Sequence, residues 1–91
     1  MAEVKKAVIE HIGEVMLSQT GVKSVVIDVS TNSTPKTRYV IFQNKTYAFD
    51  LIKKFEANVF KIGDTIDFYF NVPSGNYFPN IWRIVNHHSK H

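Results

Sequence analysis

Apolar and polar residues alternate most cleanly in the second half of the chain, where Ile66, Phe68, Phe70 and Val72 interleave with Thr65, Asp67, Tyr69 and Asn71. A period of two predicts a strand with one buried face, turning Ile66, Phe68, Phe70 and Val72 inward and Asp67, Tyr69 and Asn71 outward. The same period runs through residues 22–30, with Val25, Ile27 and Val29 inward and Ser24, Val26 and Asp28 outward. Residues 37–43 are β-rich without a decisive alternation, since Tyr39 with Ile41 and Arg38 with Val40 and Phe42 are both workable inward sets. We favour Val40 and Phe42 in the core, which puts Tyr39 on the surface and Arg38 near its edge. Between residues 4 and 18, Val4, Val8, Ile12 and Leu17 trace no clean helical stripe. A helix competes there, but Gly13 and the β-branched residues favour a long first strand, kinked near Gly13. A last β-like segment covers residues 77–85.

The period changes to that of a helix once. Ala48, Leu51, Ile52, Phe55 and Val59 follow at three- and four-residue steps behind Asn44, a good N-cap, and predict one amphipathic helix over residues 45–57. Turn signals separate the strands: Ser18-Gln19-Thr20-Gly21, a polar exposed loop over residues 31–36 that contains Pro35, and Pro73-Ser74-Gly75-Asn76. Three strands, a helix and two more strands give the order of an all-β, five-stranded OB-fold barrel, a Greek key with its α-helix between strands three and four. A ferredoxin-like fold needs a second helix, and an SH3-like barrel lacks this one.

Composition narrows the function classes. With 91 residues the chain has material for one domain, here residues 1–91 with a short flexible polar tail from about 86. No apolar run is long enough to span a bilayer, so no membrane partner is expected. Only Ala7, Val8 and Ile9 separate Lys6 from Glu10, too few for a signal peptide, and a cytoplasmic location is expected. The chain has no cysteine, which excludes disulfides, thiol nucleophiles and zinc ribbons. Eleven basic against eight acidic side chains favour a polyanionic partner weakly. The aromatic share of 13% exceeds what a small core requires and suggests rings on the surface.

Several short stretches carry a resemblance. Tyr39-Val40-Ile41-Phe42-Gln43-Asn44-Lys45, Asp50-Leu51-Ile52, Ile62-Gly63-Asp64, Phe70-Asn71, Tyr77-Phe78 and Ile81-Trp82-Arg83-Ile84 together resemble a family of small OB-fold-like domains of unknown function from bacteria and phages, related in shape to single-stranded DNA-binding proteins. The resemblance covers residues 8–84 and implies the barrel more directly than any activity. The turn at residues 73–76 is shorter than the family's tryptophan-containing loop. There is also no acidic C-terminal tail of the kind that recruits replication partners in cellular single-strand-binding proteins.

OB barrels bind ligands across the outer face of strands two and three, between the loops joining strands one to two and four to five. Single strands need cations for the phosphates and flat rings for the bases. Lys23, Lys36, Arg38 and Arg83 are the candidate cations, and Tyr39, Tyr69, Tyr77 and Phe78 the candidate rings. The alternative for each ring is burial against the barrel or a second subunit, and for each lysine plain solvation. Trp82 reads as core or as a plug at the barrel end. His87, His88 and His91 carry no helix signal and have no carboxylate or cysteine near them in the sequence to complete a metal site, so no metal or cofactor is expected. Asp64 and Asp67 fall on opposite faces of a strand, which does not suit acid–base catalysis, and no phosphate loop or nucleophile elbow is present. The expected function is therefore non-enzymatic, sequence-tolerant binding of single-stranded DNA or RNA in replication or recombination, by a homodimer or higher homo-oligomer. The rival is a barrel that self-assembles or binds protein through a bare strand edge and surface rings.

Overall fold

The computed structural model describes residues 2–43, 48–75 and 78–90. Its first strand, β1 (Ala2–Ile12), divides its pairing between two neighbours. From Ala2 opposite Phe70 to Val8 opposite Thr65 it runs antiparallel to β5 (Thr65–Asn71). From Val8 opposite Ser30 to Ile12 opposite Ile27 it runs antiparallel to β3 (Lys23–Ser30). The register slips between Val4 and Ala7 and again between Ile9 and His11, so the strand bends twice as it passes from one partner to the other. At the first slip Lys6 takes a left-handed φ of 55°, and its N–H donates to Asp67 Oδ1 at 2.7 Å. The bends therefore lie within the strand, upstream of the kink expected at Gly13.

The other elements are β2 (Met16–Leu17), β4 (Thr37–Phe42), α1 (Ala48–Glu56) and β6 (Asn80–His88). The domain is mostly β, with one short helix and a six-stranded mixed sheet in the order β1-β5-β6-β4-β3-β2. Because β1 also pairs with β3, hydrogen bonding runs in a ring through five strands, with β2 hanging from the outer edge of β3. The ring closes on its far side where β4 and β6 run parallel at Val40 and Asn80, and Val40 N–H donates to Pro79 O at 3.0 Å. Among the described residues no helix is long and apolar enough to cross a membrane.

The core fills the ring. Ile9, Val25, Ile27, Ile41, Ile66, Phe68 and Ile81 are almost fully buried, and α1 closes one end by setting Leu51, Ile52 and Phe55 against β3, β4 and β6. The helix stops at a Schellman turn: Asn58 takes a φ of 58°, its N–H bonds Phe55 O at 3.1 Å, and Val59 N–H bonds Lys54 O at 3.0 Å. This turn swings Val59 into solvent and puts Phe60 in the core instead, where its ring lies 4.6 Å from that of Phe55. The expected N-cap, Asn44, lies outside the described residues.

Two expectations are corrected. Tyr39 is a core residue, because the β3–β4 register sets it opposite Ile27, and Ile41 opposite Val25, both inward. Its ring makes edge contacts with Phe68 at 5.0 Å and Phe70 at 5.4 Å, and burial pushes its phenol pKa up. The last strand also runs on to His88, into the segment expected as a polar tail, because a buried carboxylate at Asp64 draws it in. Replacing Tyr39 with Ala is expected to cost about 3–5 kcal/mol in urea unfolding, and with Phe under about 1.5 kcal/mol. A surface tyrosine would lose almost nothing in either variant.

Candidate nucleic-acid interface

Cross-strand register decides which side chains meet on the outer face of β3 and β4. Asp28 stands opposite Arg38 in that pair and opposite His11 across β1. Arg38 Nε donates to Asp28 Oδ1 at 3.0 Å, and Nη2 reaches Oδ2 at 3.5 Å. The aspartate side chain is only 5% exposed while the arginine is 50% exposed, so the pair is a buried anchor carrying an accessible cation. The hydrogen bond from Arg38 is the main influence on the Asp28 carboxyl; it outweighs the cost of burial and, with the nearby charges of Arg38, Lys36 and His11, holds the pKa below the ordinary value. Asp28 thus points to the expected face without being exposed there.

On its other side the Arg38 guanidinium faces a ring, with Cζ 5.8 Å from the centroid of Phe78. Phe78 is 52% exposed and belongs to the β5–β6 connection, which brings that loop over the β3–β4 face. A guanidinium held on one side by a buried carboxylate and on the other by an aromatic face keeps several N–H donors for a phosphate, with a ring beside it for a base. Lys36 is exposed just before β4 and adds positive potential to this patch.

The remaining candidates are dispersed. Lys23 bonds Glu56 Oε2 at 2.9 Å and ties β3 to the end of α1. Tyr69 is outward as expected but half-buried, its ring stacked on Trp82 at 5.5 Å and 24°. Arg83 is exposed on β6 opposite Tyr69. Tyr39 is removed from the surface altogether, and Tyr77 lies outside the described residues. Arg38 and Tyr69, a candidate cation and a candidate ring, belong to two separate groupings, on strands with β6 between them. Sequence reasoning missed the Asp28–Arg38 pairing and read Trp82 as core or a barrel-end plug, not as a partner for Tyr69. The pairing is visible once the hairpin register is drawn, since it sets an acid opposite a base. The position of Trp82 had no such signal.

A second polar centre lies at the opposite edge. Asp64 accepts hydrogen bonds from Lys61 N–H at 3.0 Å, Lys90 N–H at 3.1 Å and His87 Nε2 at 2.7 Å. Gly63, at φ 97°, makes the turn into it, and a Cβ there would lie 2.8 Å from Lys90 Cδ. Burial works to raise the Asp64 pKa, but the His87 bond and the two backbone donors together bring it below the ordinary value. Asp67, held by Lys6 N–H and Asn86 Nδ2, is lowered too. The two carboxylates serve different partners. Among the described residues no cluster of three or more histidines and carboxylates is placed to hold a metal ion. No protein-family model, curated protein or solved structure matches the chain.

The lowered carboxylates set the acid response. A group whose folded pKa lies below its unfolded value contributes stability above the unfolded value, near 3.9 for aspartate, and loses it as pH falls through the folded one. Urea unfolding is expected to show stability falling away below about pH 4. Asp64→Asn should be less stable than wild type at pH 7 and have a shallower acid slope, with Asp28 and Asp67 supplying what remains. An acid slope identical to wild type would mean that Asp64 is not the charged anchor of the last strand.

Proposed function

We propose that the protein is an OB-fold barrel that binds single-stranded nucleic acid without sequence preference, in DNA replication or recombination, and has no catalytic role. The ring order supports the barrel reading. With β2 set aside as part of a connection, strands one, two, three, five and four follow one another around the ring, with three and five parallel, as in an OB-fold. The observation that carries the binding reading is Arg38: half-exposed, anchored on buried Asp28, and laid against the exposed Phe78 ring on the face that OB barrels use.

A different reading is favoured by β2, a bare edge on which Met16 is 62% and Leu17 66% exposed. That edge suits pairing with a second copy, either alongside nucleic-acid binding or instead of it. Fluorescence anisotropy with a labelled thirty-base oligonucleotide separates the two. Binding should favour the single strand over duplex and weaken with salt by a log–log slope of about 0.7 per neutralised phosphate. No binding at low salt, with dimers in light scattering, would leave self-assembly as the function.

The two halves of the site should respond differently. Phe78→Ala is expected to cost ~1–3 kcal/mol of affinity with the salt slope kept, because stacking is lost and charge is not. Arg38→Ala should lower the slope by about 0.7, and Arg38→Lys should restore most of it. Arg38→Ala should also melt earlier than wild type, since it strips buried Asp28 of its partner. Equal losses from Phe78→Ala and Arg38→Ala at every salt concentration would argue against separate base and phosphate contacts.

A further inference from the structure

The pairing of β5 with β6 slips twice, between Asp67 and Phe68 and between Tyr69 and Phe70, so β6 carries two residues with no partner on β5. Phe70 stands opposite Ile81, but the next position, Tyr69, stands opposite Arg83, and Phe68 opposite Ile84. Val85 is inserted at the first slip and Trp82 at the second. On a regular strand, residues three apart lie on opposite faces. Here Ile81 is buried and Ile84 packs partly against the same core, so the bulge at Trp82 lets both face inward and leaves Trp82 and Arg83 on the outer side, Arg83 exposed and Trp82 half-buried with its indole Nε1 enclosed. The Trp82 ring lies against outward-facing Tyr69, and the Arg83 side chain is exposed beside it.

We infer that Tyr69, Trp82 and Arg83 form a second subsite for the same single strand, in which a base stacks on the Tyr69–Trp82 pair and Arg83 meets a phosphate. The inference rests on the nucleic-acid reading of the Arg38–Phe78 patch. It extends that patch across β6 onto the outer face of β5, beyond strands β3 and β4. One short run of chain joins the two groupings: Phe78 touches Arg38, and four residues later Trp82 touches Tyr69. The core gains no aromatic from the insertion, since Ile81 and Ile84 already supply its apolar contacts from this strand. What the bulge changes is the outer surface, where it sets an indole and a guanidinium side by side, the two components a single-strand site needs. Glu3, opposite Tyr69 on β1, and Asp67 are acids on this face, and Lys5 is a further base. The exposed Arg83, beside the paired rings, is the cation assigned to the phosphate.

Trp82 is the chain's one tryptophan, so its emission reports on this subsite alone. Titration of the protein with an unlabelled thirty-base oligothymidine should quench that emission over the concentration range in which a labelled copy saturates by anisotropy. Trp82→Ala should weaken binding about 5- to 150-fold with the salt slope unchanged, while Trp82→Phe keeps a ring and stays within about threefold. Arg83→Ala should lower the slope by about 0.7. Binding by anisotropy with constant Trp82 emission, or with wild-type affinity in folded Trp82→Ala, would overturn the subsite and leave the Arg38–Phe78 reading standing. No binding by wild type at low salt would instead overturn that reading, and this inference with it. If Trp82→Ala does not fold, the emission titration decides alone.

Discussion

The architecture depends on one strand serving two neighbours in turn. An eleven-residue strand held to a single partner would leave an open sheet with bare edges. By passing from β5 to β3 midway, β1 joins the two ends of the five-stranded order and makes the hydrogen bonding circular. The passage requires backbone that a regular strand does not have. Lys6 supplies it with a left-handed φ, and the Asp67 carboxylate holds that residue by its N–H. Asp67 is itself oriented by Asn86 of β6. One carboxylate thus links the bend in β1, the middle of β5 and the far part of β6, and its lowered pKa reflects those bonds.

Closure also decides where charge can be kept. Among the described residues three aspartates have carboxyls held below the ordinary pKa, and they act in different places. Asp67 sits at the bend, Asp64 at the end of the last strand, and Asp28 beneath Arg38. The first two accept from backbone donors and join elements. Asp28 differs because its partner is an exposed side chain, so its charge orients a cation toward solvent. The surface ion pair of Lys23 with Glu56 is of another kind, since both groups are partly hydrated and the attraction contributes little. This separates Arg38 from Lys23: its guanidinium is half-exposed and held by a carboxylate that is itself buried.

Irregularities in the ladder have similar effects on both sides of β6. The parallel contact at Val40 and Asn80 brings the β5–β6 connection over β4, setting Phe78 against Arg38. The bulge at Trp82 turns the next stretch so that indole and guanidinium share one face. Neither arrangement follows from the identity of the residues concerned. Both follow from how β6 is fitted between an antiparallel and a parallel neighbour.

Much of the fold was determined by the sequence itself, wherever one local period dominated. Strict alternation identified β5 and β3 and their inward faces, with Ile66, Phe68, Val25, Ile27 and Val29 all buried. Three- and four-residue steps identified the helix through Leu51, Ile52 and Phe55. These signals are short-range because the burial of a side chain on a strand or helix repeats with the backbone's own period. The facing of β4 was undecidable from its own residues, since both sets are apolar enough to be buried; only pairing with β3 turned Tyr39 and Ile41 inward. Alternation through Val72 likewise overran the strand, leaving that residue exposed past its end. The end of β6 and the outward turn of Trp82 also came from tertiary structure alone, because a bulge and a buried carboxylate act between elements distant in the chain. Local pattern determined which residues are apolar enough to face inward, and the register between strands decided which of them do.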